Sequence, residues 1–278
     1  MTPDELLVRK PVYDESFWES ELQRYKTQRV FITGICGSIG SALARKAQEY
    51  GADVSGIDQD ESAVARAGGN VELGDFSEYV PRRPFDVVFH AAAYKHAVCS
   101  ERQPRAYMAN NVTKTQTLLH HLQGMCSAFV LVSTDKAASC ASTMGLTKRA
   151  AERMVEREWA LRLGNVAYSK GSVLDLWRSE PTCRCVGWGV TRYWMQEDDA
   201  ALALLLTPLQ KPGLYVTLGL PKFTMLEIRE AFERLHGHEG KQWEDIPLSP
   251  GEVEQETFVS PRESVHEVNG VLGLVRPI

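Results

Sequence analysis

The stretch RVFITGICGSIGSALARKAQEYGADVSGID, residues 29–58, decides the fold. RVFIT is apolar, β-branched and aromatic, and it runs into Gly34, which reads as a buried strand ending at a turn. From Ser38 the pattern changes. Ile39, Leu43 and Ala47 recur at helical spacing, and Gly51 stops the helix. ADVSGID then resumes as a second strand. Gly34, Gly37 and Gly40 thus lie between a strand and a helix, the context in which their spacing has meaning. The first permits a tight turn, the second a close backbone approach to a pyrophosphate, and the third close packing of helix on strand. The phosphates would lie on the free N–H groups at the helix N-terminus.

The same alternation continues outward. ESAVARAGG reads as a short helix, VELGD as a third strand and FDVVFHAAA as a fourth. A long helix follows over about Pro104 to Leu122, then SAFVLVSTD as a fifth strand, a helix from Ser142 to Leu161, and ALRLGNV ending in a sixth strand. Strands alternating with helices of this length imply an α/β fold, a Rossmann-like, doubly wound parallel sheet over residues 28–166. Past Val166 the pattern loosens. GSVLDLW, Met195–Leu206 and TMLEIREAFERLHG read as helices, GLYVTLG as a strand and SEPTCRCVGWG as a loop. Residues 167–278 are expected to form a smaller substrate-binding lobe, with elements returning to the main sheet. Residues 1–27 carry Phe17, Trp18, Leu22 and Tyr25 at roughly helical spacing and predict a helical extension beside the main domain or at a subunit contact.

A chain of 278 residues with net charge −5 has no basic surplus for nucleic acid or an anionic membrane. No run of 18 apolar residues suggests a membrane span, and MTPDELLVRK lacks a signal-peptide layout. The six cysteines are scattered without metal spacing and read as free thiols, so no metal is expected and the location expected is cytoplasmic. The second strand ends at Asp58, an acidic group suited to the ribose hydroxyls of an adenosine and hostile to a 2'-phosphate. Gln59, Asp60 and Glu61 follow it without an arginine, so the cofactor expected is NAD and not NADP. Asp75, after the third strand, is expected to touch the adenine. Ser38, Ile39, Phe76, Ala91, Ala92, Ala93 and Lys95 complete the expected cofactor site, the loop after the fourth strand bordering the nicotinamide.

ITGICGSIGSALARK, FHAAAYKHAV, NNVTKTQTLL, LVSTDKA, MGLTKRAAE, RLGNV and TRYWM together resemble the extended short-chain dehydrogenase/reductases. More narrowly they are similar to the polysaccharide-biosynthesis UDP-N-acetylglucosamine 4,6-dehydratases, with PGE at 250–252 adding weakly. Met144 stands where most such enzymes have tyrosine, and the resemblance places the chain in the branch with methionine there. It implies Asp135 as the acid, Lys136 as the base, Thr134 on the sugar's C4 oxygen and Lys148 on the nicotinamide ribose. A 4-keto sugar would lose its C5 proton to Lys136 and its C6 hydroxyl as water. An amine base needs a lowered pKa, for which Lys148 offers nearby charge. A thioether cannot take the C4 hydroxyl proton, so Thr134, Asp135 or a water must.

The resemblance further implies Asn165 on the substrate diphosphate, Arg192 on the diphosphate or the uracil, and Asn111 and Lys95 near the reacting sugar. It implies a UDP-sugar, N-acetylglucosamine by default, and a homodimer or higher homo-oligomer paired through the helices at about 104–122 and 142–161. The loop AASCAST departs from the family's Pro/Asn-rich stretch, and the membrane helices of long members are absent. Epimerisation, 5,6-elimination and a non-catalytic NAD-binding sensor are the competing readings.

Overall fold

The structure, a computed structural model, describes residues 1–237, 241–248 and 250–278. The predicted strands are β1 (Arg29–Thr33), β2 (Asp53–Asp58), β3 (Val71–Leu73), β4 (Phe85–His90), β5 (Cys126–Thr134) and β6 (Trp159–Leu163). The rest of the chain adds β7 (Asn165–Val166), β8 (Thr182–Val186), β9 (Thr191–Met195), β10 (Gly213–Thr217), β11 (Lys222–Thr224), β12 (Gln242–Ile246), β13 (Glu263–Glu267) and β14 (Leu272–Pro277). Among the described residues the main sheet has nine strands, in the order β13-β14-β10-β6-β5-β4-β1-β2-β3. From β3 to β10 every pairing is parallel, and the β13–β14 hairpin closes the edge antiparallel. This is the doubly wound, Rossmann-like sheet the alternation implies.

Period-2 alternation feeds two cores. Val30 and Ile32 face one side, where they meet Leu43 and Ala47 of the Ser38–Glu49 helix. The Glu197–Leu206 helix packs on the same side, and its ALALLL run is buried all round. Phe31 faces the other side and meets Leu118, Leu122, Ala151 and Val155. The switch of strand order between β1 and β4 leaves a crevice at the strands' C-terminal ends.

Several elements differ from the sequence reading. SEPTCRCVGWG is not a loop throughout: β8 lies within it and pairs in parallel with β12. Cys183 and Cys185 point to one face of β8, into an aromatic core with Trp177 and Phe232. The helix from Pro104 is broken by a π-turn at Ala109–Thr113. The helix starting near Ser142 ends at Met154, and the chain is already β6 from Trp159. The N-terminal stretch is helical but in short pieces, Pro3–Leu7 and then successive turns from Glu15 to Tyr25, in place of one amphipathic helix. Leu22 and Tyr25 join the main core, Leu6 and Leu7 join the aromatic core of the lobe, and Phe17 is exposed.

Candidate active site

The C-terminal ends of the parallel strands open into a cavity of about 1030 Å³. Its first end is a dinucleotide cradle. Gly34 has φ +68°, and a Cβ there would lie 2.9 Å from the Ala92 backbone. A side chain at Gly40 would run into the Gly34 carbonyl. Gly37 caps the Ser38–Glu49 helix without a side-chain bond, so no side chain takes the helix's first N–H groups. Asp58 lines the cavity, and its carboxylate fixes the turn by accepting from Cys36 N and Asp60 N, each at 3.0 Å. Ser38, Ile39, Phe76, Ala91, Ala92 and Ala93 line the same end. These residues fit a nicotinamide dinucleotide: a side-chain-free pyrophosphate bed, an acid at the ribose position and an apolar wall. Asp75 is the exception. Its carboxylate is turned onto Lys114 and the Ser77 backbone and is not part of the wall.

The other end holds Thr134, Lys136, Met144, Lys148 and Asn165. Gly145 makes it possible, since a Cβ there would sit 2.5 Å from the Lys136 carbonyl oxygen. Lys148 is buried and donates to the Val132 carbonyl at 2.5 Å, and burial lowers its pKa to about 8. Met144 is buried, and its backbone N–H donates to Ser100 Oγ. Lys95 reaches the wall and donates to the Lys170 carbonyl at 2.7 Å. His90 is a core residue bonded to Thr33 and Thr115.

Besides Asp75, three more expected site residues are not on the cavity wall. Asn111 is spent on the Tyr94 backbone, Asn110 and Thr147, so it shapes the loop and does not face the cavity. Arg192 turns inward onto the carbonyls of Thr191 and Val253 and toward Glu256. Asp135 is only 1% exposed and lies behind the wall. Its Oδ1 accepts from the Thr134 hydroxyl and the Lys136 backbone N–H, both at 2.8 Å, while Oδ2 is buried without a hydrogen-bond donor.

Lys136 is the group that reaches the cavity, with its side chain 26% exposed. Three oxygens surround its amine: Glu256 Oε1 at 2.5 Å, Asn165 Oδ1 at 3.3 Å and Asp135 Oδ1 at 3.4 Å. Burial pulls the amine down, but the two carboxylates outweigh it, so Lys136 is held above its ordinary pKa. This corrects the expectation of a lowered amine. Asp135 goes the other way. Burial raises it, Lys136 pulls it down, and Glu256 pushes it up again, leaving it at about 7. Glu256, despite its burial, is drawn down to about 2, first by Lys136.

Glu256 was not legible in the sequence. It sits among Glu252 and Glu254 in a polar stretch, and only the preceding PGE hinted that the segment matters.

The sequence matches the family described as "Polysaccharide biosynthesis protein" over residues 69–270, well over half of the chain. It is 28% identical over 300 residues to the capsular polysaccharide biosynthesis protein CapD of Staphylococcus aureus, covering 94% of this chain and 49% of that protein. A UDP-N-acetylglucosamine 4,6-dehydratase (inverting) of Campylobacter jejuni is 26% identical over 143 residues, 45% of this chain and 43% of that one. The chain spans about half the length of the first curated relatives it matches. Pen from Bacillus thuringiensis superimposes with TM-score 0.78 at 23% identity, covering 90% of this chain and 88% of that chain. DesIV of Streptomyces venezuelae, a dTDP-glucose 4,6-dehydratase solved with NAD and TYD bound, superimposes with TM-score 0.73 at 20% identity, covering 82% and 87%. At these identities the structural likenesses establish the fold. Among the described residues no helix is long and apolar enough to cross a membrane.

Proposed function

The chain belongs to the polysaccharide biosynthesis protein family, and from that premise we propose that it is an NAD-dependent nucleotide-sugar 4,6-dehydratase acting on a UDP-sugar of the N-acetylglucosamine kind. The observation that carries this reading is the Lys136 amine, set at the cavity wall opposite a dinucleotide cradle and backed by two buried carboxyls. The C. jejuni relative supports the reaction and the DesIV structure supports the cofactor.

NAD, when bound, supplies the hydride acceptor and donor for the sugar. The glycine turn and Asp58 hold it at one end of the cavity, and Lys148 and Lys95 flank its nicotinamide end. The residues at the other end move protons. Thr134, on the cavity wall, would bond the C4 oxygen, a role supported by its own hydroxyl proton being directed to Asp135. With C4 at the ketone level the C5 proton becomes acidic, and Lys136 is the wall group that can remove it and, as the ammonium, give a proton to the departing C6 hydroxyl, which leaves as water. The amine enters charged, so it becomes a base only after its proton passes to a carboxylate behind it, a shift that leaves the net charge of the cluster unchanged. Asp135 then serves through Thr134 and Lys136 and does not meet the sugar directly. The protein works as a homodimer or higher homo-oligomer. Exposed Met108 and Leu146, on the helices after β4 and β5, support pairing through those helices.

The test is incubation with UDP-N-acetylglucosamine in deuterated water, followed by product mass. Loss of water with one deuterium gained is the expected result, because C5 is stripped and then reprotonated from solvent. Loss of water without deuterium would mark 5,6-elimination, and a product of unchanged formula that separates from the substrate on chromatography would mark an epimerase. Binding of NAD without turnover of any UDP-, dTDP- or GDP-sugar would sink the enzyme reading.

A further inference from the structure

Glu256 lies between β12 and β13, on a segment tied down from three directions. Thr191 N donates to the Glu254 carbonyl at 3.0 Å, and Arg192 Nη1 donates to the Val253 carbonyl at 2.9 Å. Gly251, at φ +86°, packs on Ser142, where a Cβ would lie 2.7 Å from the Ser142 Cβ. Ser142 caps the helix that carries Met144 and Lys148. The segment therefore delivers one carboxylate, 2% exposed, to the back of the cavity. A buried carboxylate is costly unless cations and donors meet it. Here Lys136 Nζ at 2.5 Å and Arg192 Nε at 3.2 Å meet Oε1, and Asn165 Nδ2 donates to Oε2 at 2.7 Å.

Lys136 and Asn165 are the two wall residues of that set, so Glu256 is braced against the wall from behind. The groups facing the Lys136 amine are Asp135 from the end of β5, Glu256 from the C-terminal segment and neutral Asn165 from β7. Arg192 on β9 stands beyond Glu256. We propose that Glu256 is the positioning residue of the reaction: it holds the Lys136 amine against the cavity wall and sets the charge that amine carries. What Lys136 then does rests on the dehydratase reading. How it is held does not.

The experiment is amine labelling of the intact protein with an acylating reagent across a pH series, read at Lys136 by peptide mass spectrometry, without substrate and beside a free lysine peptide in the same tube. In the unmodified protein Lys136 should label at a higher midpoint pH than that peptide. Equal midpoints would overturn the proposal, with no variant needed. Glu256→Gln keeps the shape and removes the charge, and should lower the Lys136 midpoint by about 1 pH unit. Glu256→Asp should give a smaller shift in the same direction. A folded Glu256→Gln protein with an unmoved midpoint overturns the proposal. So does an equal shift in Glu254→Gln, whose side chain is exposed. In turnover, Glu256→Gln should lower kcat about 10²-fold with KM little changed, and Glu256→Asp should recover part of it. Loss confined to KM would overturn the assignment. A protein that shows the labelling shift yet turns over no sugar nucleotide would sink the dehydratase reading alone.

Discussion

Lys136 meets the cavity with three oxygens at its back, and its chemistry follows from that asymmetry. Lys136→Met should keep the aliphatic stem and NAD binding, because the cofactor cradle lies at the other end of the cavity. It should lower turnover by about 10²–10⁴-fold, the usual worth of a positioned proton-transfer group, measured as product formed in deuterated water. Retained turnover would remove Lys136 from the mechanism. Asp135 gives a second test through stability. Its carboxyl sits at about 7 in the fold against an ordinary 3.8. Between those values the native state keeps a proton that the unfolded chain has released, so stability falls as pH rises through the window. Asp135→Asn removes that contribution. The decline in Tm between about pH 4 and 7 should become shallower, while activity is lost. An unchanged slope would mean that Asp135 is ionised in the fold at neutral pH.

At the scale of elements, the helix from Thr143 to Met154 is positioned by what it lacks. Gly145 lets its first turn close on the Lys136 carbonyl. Gly145→Ala should push that turn away and cost about 1–3 kcal/mol by overpacking, read as a lower urea midpoint. It should also weaken kcat, since Met144 and Lys148 ride on the same helix. A variant as stable and active as the parent would show that the helix has slack. The parallel strands and the glycine turn were legible in the sequence because each carries its own local signal. β1 is a buried apolar run, and Gly34, Gly37 and Gly40 stand between strand and helix. β8 was not legible. Its TCRCV is short and interrupted by a charge, and it becomes a strand only because β12, about sixty residues on, pairs with it. The helix ends were missed for a related reason. MVEREWALRL keeps helical composition past Met154, and β6 wins because its residues complete the sheet between β5 and β10. Wall residues that come from motifs, such as Thr134 and Lys136, could be named in advance. The inward turn of Arg192 and the arrival of Glu256 depend on tertiary contacts that no spacing encodes.

Across the whole molecule, one buried ion network joins the sheet, the Met144 helix and the C-terminal hairpin. Arg162 on β6 is fully buried. Its guanidinium takes Glu152 of the helix through Nε at 2.9 Å and Nη2 at 2.8 Å, and Glu263 of β13 through Nη1 at 2.9 Å. Nη1 also donates to the Phe258 carbonyl at 2.6 Å, only two residues beyond Glu256. Arg149 adds a second cation, 2.5 Å from Glu263. Arginine suits this place because its planar fork serves two carboxylates in fixed directions. The network therefore fixes where the C-terminal segment re-enters the fold, and with it the carboxylate behind Lys136. Arg162→Met keeps much of the volume but leaves Glu152 and Glu263 close together with Arg149 as their remaining cation. Removing one partner of such a buried set should cost about 3–5 kcal/mol, measured by urea unfolding at neutral pH. Because the uncompensated carboxylates can be protonated, the deficit should shrink at about pH 5. A loss that is equally large at acidic pH would show that Arg162 acts by packing alone and that its charge does not anchor the C-terminal segment.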